Sequence, residues 1–216
     1  MDISVIPKKI AQFLGLYHPI RDRLRQSRDK SDLVDWQKRG KPVPPPHIVK
    51  QQAILDVSKR YHCDTLVETG TYFGDMVESM KSKFAKIHTI ELDDKLFAAA
   101  EKRFRNDENV TLYHGDSGVV IDAVLSQLNA TQGRALFWLD GHYSGEGTAD
   151  SECPIVNEVR KILEARENDI ILIDDAHCFG SMTDYPSIEE LRTLILNLSA
   201  NLKFEINDNM ILLLPK

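Results

Sequence analysis

Six carboxylates and two glycines carry most of the chemistry that can be read from this chain. Glu68, Glu91, Asp116, Asp140 and the pair Asp174-Asp175 each follow a short apolar run. One acid at the end of such a run is commonplace, but five successive runs each ending this way are hard to ascribe to solubility. Gly70 and Gly74 lie just beyond Glu68, in Glu68-Thr69-Gly70-Thr71-Tyr72-Phe73-Gly74. Glycines at a turn let a ligand lie against the backbone, and an acid about twenty residues on can accept hydrogen bonds from both ribose hydroxyls. Glu91 stands at that distance.

The spacing also limits the ligand. Tyr72 occupies the middle position where a dinucleotide fingerprint has glycine, so a pyrophosphate would have less room at the helix start. No Gly-Lys-Ser/Thr follows, which excludes a P-loop. Acids lining the rim would repel a polyphosphate and suit a cation, so a ribose and adenine joined to a sulfonium fit best.

Elements of regular type must position these residues. The pattern predicts helices over 47–61, 73–84, 94–104, 117–129, 153–166 and 187–199. Strands are expected to end at Glu68 and to cover 86–91, 110–114, 135–139, 170–173, 203–207 and 210–214. Alternating short apolar strands and helices imply a parallel sheet covered on both faces. Asp208-Asn209 reads as a tight turn, so the last two strands are antiparallel and one of them inserts at the sheet edge. The fold class is α/β: a Rossmann-like, mostly parallel seven-stranded sheet with an antiparallel C-terminal strand and helices on both faces. Trp138 reads as core. The segment from Ser144 to Asp150, with Gly145 and Gly147, reads as a loop over the substrate.

Over roughly residues 60–216 the sequence resembles the class I S-adenosylmethionine-dependent methyltransferases. The glycine turn looks like their first motif in its Glu-x-Gly-x-x-x-Gly form, familiar from catechol and caffeoyl-CoA O-methyltransferases. The resemblance implies S-adenosylmethionine as cofactor, held by Glu68, Thr69, Gly70, Thr71, Gly74, Glu91, Asp116, Ser117 and Asp140. It implies transfer of a methyl group to a hydroxyl of a small molecule or sugar. Asp140, Asp174 and Asp175 look like the metal ligands of the divalent-cation-dependent branch, which implies Mg²⁺ or another divalent cation as a second cofactor. The resemblance breaks at the general base. Catechol-type enzymes have a lysine three residues after the first metal acid, and here that position is Tyr143. His142 and His177, each beside a proposed acid, are the candidate bases, and Asp140 joins them in the candidate catalytic set. His114 reads as structural. Cys178 beside His177 suggests a thiol nucleophile only superficially. A non-catalytic cofactor-binding scaffold of the same fold is the alternative from another class. A nicotinamide-dependent reductase is disfavoured by the missing glycine and the lack of a Tyr-x-x-x-Lys signature.

Composition sets the remaining bounds. The 216 residues are 42% hydrophobic and 28% charged, ordinary for one globular domain with modest decoration. Residues 1–50 carry 11 Lys and Arg against 5 Asp, and the remainder 16 against 28 Asp and Glu, so a basic arm of +6 precedes a body of −12. An acidic body argues against nucleic acid as a partner. Residues 1–41 are expected to form a basic helical arm, 42–46 a stiff proline-rich linker and 47–216 the methyltransferase domain. Within the arm, residues 3–30 have the pattern of a helix lying on a membrane surface. They equally fit a helix packed over a domain or a homodimer seam, and the packed reading carries more weight. Asp2, Pro7 and Lys8-Lys9 interrupt any secretory core, and three scattered cysteines lack metal spacing, so a reduced cytoplasmic protein is expected.

Overall fold

The structure is a computed structural model that describes residues 29, 31–130, 133–140, 154–182 and 185–216. Its contacts divide the chain into two units, residues 1–50 and 51–216. In the first unit a helix over 31–38 ends at Gly40, where the indole Nε1 of Trp36 donates to the Pro42 carbonyl at 2.8 Å. The expected helix at 3–30 lies outside the described residues except for residue 29.

The second unit alternates as the sequence pattern requires. In chain order the elements are α1 (His47–Tyr61), β1 (Cys63–Thr69), α2 (Asp75–Met80), β2 (Lys86–Glu91), α3 (Asp94–Phe104), β3 (Val110–His114), α4 (Ser117–Asn129) and β4 (Arg134–Leu139). Then come α5 (Pro154–Ala165), β5 (Ile170–Ile173), α6 (Ile188–Leu198), β6 (Leu202–Asn207) and β7 (Met210–Pro215). The seven strands form one sheet in the order β3-β2-β1-β4-β5-β7-β6. The β1–β5 set is parallel, whereas β7 runs antiparallel between β5 and β6. The turn joining β6 to β7 is Asp208-Asn209, with φ of 45° and 68°, the left-handed pair that a two-residue hairpin needs.

Strand alternation sorts the core. Val67, Phe137, Leu139, Ile171 and Ile173 face a cluster with the buried apolar sides of α4, α5 and α6. Leu66 and Ile87 belong to the other parity, and buried Ile54, Met80 and Phe104 from α1, α2 and α3 lie outside that cluster. Both faces are thus covered, which is why β4 reads Ala-Leu-Phe-Trp-Leu without a polar break. Trp138 is fully buried. Among the described residues no helix is long and apolar enough to cross a membrane.

Helix ends follow local chemistry. Asp93 caps α3 by accepting from the backbone N–H groups of Lys95 and Leu96, and Ser187 with Glu190 forms a capping box on α6. α2 is shorter than the expected 73–84. It begins only after left-handed Gly74, and beyond its end the Asn109 amide donates to the carbonyls of Lys81 and Phe84, which supplies partners that another helical turn would have used.

Candidate active site

The register brings the acids to one rim. Thr69 lies beside Ile90 on one side and Leu139 on the other, and Leu139 lies beside Ile173. The backbone ladder continues one step further: Gly70 N–H donates to the Ile90 carbonyl, Asp140 N–H to Thr69, Asp174 N–H to Leu139 and Gly115 N–H to Glu91. Gly70, Glu91, Asp140 and Asp174 therefore emerge at the same level, beyond the carboxyl ends of adjacent strands, where open α/β sheets bind ligands.

The glycine turn is held from two sides. Gly70 and Gly74 have φ of 89° and 73°, and Tyr72 between them is also left-handed at 50°. That unusual backbone at Tyr72 is stabilised because its N–H donates to Glu91 Oε2 at 2.6 Å, while Glu91 Oε1 accepts from Asp93 N–H at 2.9 Å. Each carboxylate oxygen of Glu91 keeps a further lone pair for a ligand hydroxyl. On the outer side the Arg103 guanidinium donates to the Phe73 carbonyl and to Asp75 Oδ1. Gly74 has no room for a side chain, since a Cβ there would sit 2.5 Å from the Phe104 ring.

Beneath the turn lies a buried relay. Thr89 Oγ1 donates to Glu68 Oε2 at 2.6 Å and shares a 2.5 Å hydrogen bond with Thr71 Oγ1. Glu68 is 2% exposed. Its pKa is pushed up to about 8 mainly by burial, against the hydrogen bond from Thr89, with the charges of Asp140, Glu91 and Asp75 adding to the rise. On the opposite face Asp116 caps α4 by accepting from Gly118 N–H at 2.8 Å, which places Ser117 in the helix's first turn.

No family model matches this sequence. Among curated proteins, the ribosomal RNA small subunit methyltransferase A of Syntrophus aciditrophicus (strain SB) is 33% identical over 63 residues. That match spans 29% of this chain and only 22% of the relative's length. Solved structures match over nearly the whole length. The S-adenosylhomocysteine-bound methyltransferase PaMTH1 of Podospora anserina has a TM-score of 0.51 at 14% identity, covering 98% of both chains. DesVI of Streptomyces venezuelae has a TM-score of 0.56 at 12% identity, covering 87% of this chain and 98% of that one. An O-methyltransferase of Bacillus cereus in complex with S-adenosylhomocysteine has a TM-score of 0.52 at 12% identity, covering 88% and 91%. This is the fold of the class I S-adenosylmethionine-dependent methyltransferases.

Against that methyltransferase fold, the residues expected from sequence divide into groups. Thr69, Gly70, Thr71, Gly74 and Glu91 come together at the turn, and Glu68 lies under it. Asp116 and Ser117 begin α4 after β3, while Asp140 follows β4. The left-handed glycine turn, together with Glu91's remaining lone pairs, fits a nucleoside with a vicinal diol. The metal expectation fares differently. Asp174 Oδ1 accepts from Asp175 N–H at 2.8 Å, and Asp175 Oδ1 accepts from the Asn209 amide at 3.0 Å. Among the described residues no group of three or more His, Cys, Asp or Glu is arranged to hold a metal ion, so Asp140, Asp174 and Asp175 do not form the expected ligand set. These contacts turn the pair toward the protein's own donors. His142 and Tyr143 lie outside the described residues, as does the 144–150 loop. His114 bonds Asp94 at 3.0 Å and stacks on Phe97, in keeping with a structural role.

Three contributors went unread in the sequence: Arg103, Asn209 and Glu158. Glu158 is fully buried on α5, and among the described residues neither of its oxygens has a hydrogen-bond partner. Burial pushes its pKa up to about 7. The hydroxyls of Ser117 and Thr69 are near enough to oppose that rise without completing a hydrogen bond, and the Asp116 charge adds to it. An acid falling on the apolar stripe of α5, between Ile155 and Ile162, was the available signal.

Raised carboxylate pKa values have a defined sign in stability. A folded pKa of about 8 against an ordinary value of 4.5 means that folding favours the protonated acid, so stability falls as pH rises between those values. Glu158 adds the same sign up to about 7. Glu68→Gln keeps an acceptor for Thr89 and removes the buried charge. Its stability is expected to pull ahead of wild type from pH 5 to 9, reaching an advantage on the order of 3 to 5 kcal/mol, seen as a widening gap between the thermal midpoints. Parallel melting curves for the two proteins across that range would show that Glu68 does not titrate in this way.

Proposed function

We propose that this chain is an S-adenosylmethionine-dependent methyltransferase that methylates a hydroxyl oxygen of a small molecule or sugar. The observation that carries the reading is Glu91. It is held by two backbone N–H groups beside the glycine turn, 6% exposed, and has lone pairs remaining for a ribose diol. The likeness to solved methyltransferases, two of them described with S-adenosylhomocysteine, supports it.

Bound S-adenosylmethionine supplies an electrophilic methyl on a sulfonium. Glu91 would hold its ribose, the Gly70–Gly74 backbone would admit its chain, and Asp116 and Ser117 would lie beside its base. The carboxylates Asp75, Glu91 and Asp140 give the region a negative potential, which favours a cationic donor over the neutral product. His177, three residues beyond Asp174, is a described group that would take the hydroxyl proton. No step is assigned to a metal, because the described carboxylates do not assemble a ligand set. The acidic body disfavours nucleic acid as the acceptor.

Titration with S-adenosylhomocysteine, followed by transfer of a labelled methyl group to a panel of polyols, phenols, sugars and RNA, tests the proposal. Micromolar binding and label on a hydroxyl compound are expected. Absence of binding sinks the cofactor assignment, binding without transfer to any acceptor favours the scaffold reading, and label on RNA alone overturns the acceptor class. A cation beside Glu68 should also lower that acid's pKa. Binding of the sulfonium at pH 7 is therefore expected to release a proton, seen as a dependence of calorimetric heat on buffer ionisation enthalpy.

A further inference from the structure

The turn between β6 and β7 reaches across to the segment after β5. Asn209 contacts it through both backbone and side chain. Its carbonyl accepts from Ala176 N–H at 2.8 Å, and its amide oxygen accepts from His177 N–H at 3.0 Å. Its amide nitrogen donates to Asp175 Oδ1, also at 3.0 Å. These partners fix which end of the amide is which. A backbone N–H can only donate and an ionised carboxylate can only accept, so reversing the amide would break both contacts. The atom facing His177 Nδ1 at 3.1 Å is therefore Oδ1, an acceptor. Asp175 Oδ1 lies 3.8 Å from the same ring nitrogen. With oxygens on that side, Nδ1 must carry the proton, and in the neutral ring Nε2 carries the lone pair, with the Cys178 Sγ 3.8 Å from it.

We infer that Asn209 is the positioning residue for His177, fixing its ring as the Nδ1–H tautomer so that Nε2 receives the proton of the methyl acceptor. The catalytic part rests on the methyltransferase reading above; the tautomer does not. As the acceptor oxygen bonds to the methyl carbon, the carbon–sulfur bond breaks and its electron pair stays on sulfur. The hydroxyl proton passes to Nε2, leaving a methyl ether, a neutral thioether and an imidazolium. The Asn209 oxygen and the Asp175 carboxylate face Nδ1–H and favour the charge that develops. A free imidazole prefers no such orientation, so the last hairpin supplies what sequence adjacency to Asp175 alone cannot.

The test uses the full chain labelled with ¹⁵N-histidine, at a pH where the imidazole is neutral. Long-range ¹H–¹⁵N correlation distinguishes the two ring nitrogens, and His177→Gln assigns the signal. Wild type is expected to show protonated Nδ1 and unprotonated Nε2. Asn209→Gly, which keeps the left-handed turn, should lose that preference and lower kcat about 10- to 100-fold, with cofactor affinity unchanged. A wild-type ring protonated on Nε2, or a tautomer unchanged in Asn209→Gly, overturns the inference. The expected tautomer with an unchanged kcat in Asn209→Gly overturns the catalytic assignment of His177. Failure of wild type to bind S-adenosylhomocysteine instead removes the methyltransferase reading while leaving the tautomer result standing.

Discussion

Glu91→Ala is expected to lower affinity for S-adenosylhomocysteine by about 100-fold or more and to cost about 2 to 4 kcal/mol of stability. The two effects have one origin. Glu91 accepts from the backbone N–H groups of Tyr72 and Asp93, so it both closes the glycine turn and fixes the cap of α3. Truncation leaves two donors without their acceptor and removes the force that keeps Tyr72 left-handed at φ 50°. Glu91→Gln separates these contributions. A glutamine has one oxygen to accept and an amide group to donate, so it can serve Tyr72 or Asp93 but not both. Glu91→Gln should therefore be nearly as damaging to binding as alanine, although its volume is native. Calorimetric titration and thermal melting of both variants provide the check. Affinity within about threefold of wild type in Glu91→Ala would sink the ribose assignment; a fully functional Glu91→Gln would show that the two backbone contacts are dispensable.

What could be read from the sequence followed the range of the interactions involved. Strands β4 and β5 announce themselves as continuous apolar runs followed at once by an acid, the pattern of a sheet centre buried on both faces. Strands β1 to β3 do so as short β-branched and aromatic stretches with an acid at their end or within two residues of it. The hairpin turn was legible because few residues other than Asn, Asp and Gly accept consecutive left-handed backbone. The end of α2 was not legible. It depends on Asn109, nearly thirty residues away, whose amide supplies partners to Lys81 and Phe84. Glu91 was visible as an acid at the right distance from the glycines, but its bond to Tyr72 N–H was not. Tyr72 stands out in the sequence as a missing glycine; in the structure it adopts a glycine-like backbone all the same, because Glu91 holds its N–H.

The carboxylates show the same divide. Their common rim follows from strand ends in register, a consequence of the fold class alone. Whether neighbouring acids point together or apart depends on side-chain partners, and here Asn209 and the Asp175 backbone engage the pair after β5. Sequence spacing therefore located Asp140, Asp174 and Asp175 correctly on one rim, while the metal set inferred by resemblance is not assembled among the described residues. The same Asn209 accounts for the orientation of His177, and no local pattern around position 177 could have indicated it.

Gly74 carries the second large effect. Two physical costs meet at this residue, and they can be separated by experiment. Its φ of 73° is strained for any side chain, at about 1 to 2 kcal/mol. A Cβ would also lie 2.5 and 2.7 Å from two atoms of the Phe104 ring, which is 2% exposed and cannot swing into solvent. Forcing that contact adds about 1 to 3 kcal/mol. Gly74→Ala should thus lose about 2 to 5 kcal/mol, and cofactor affinity with it, since the Gly74 N–H closes the turn onto the Thr71 carbonyl. Gly74→Asn keeps a residue that tolerates left-handed backbone but has the same Cβ. If the ring contact dominates, asparagine will be as damaging as alanine; if the backbone dominates, asparagine will recover most of the loss. Phe104→Leu distinguishes them from the other side by opening space at the ring edge. The double variant Gly74→Ala with Phe104→Leu should then cost less than the two single changes added together. Strict additivity in denaturant unfolding would mean that the glycine is required for its backbone alone, and the close packing of Phe104 on the turn would have no part in shaping the site.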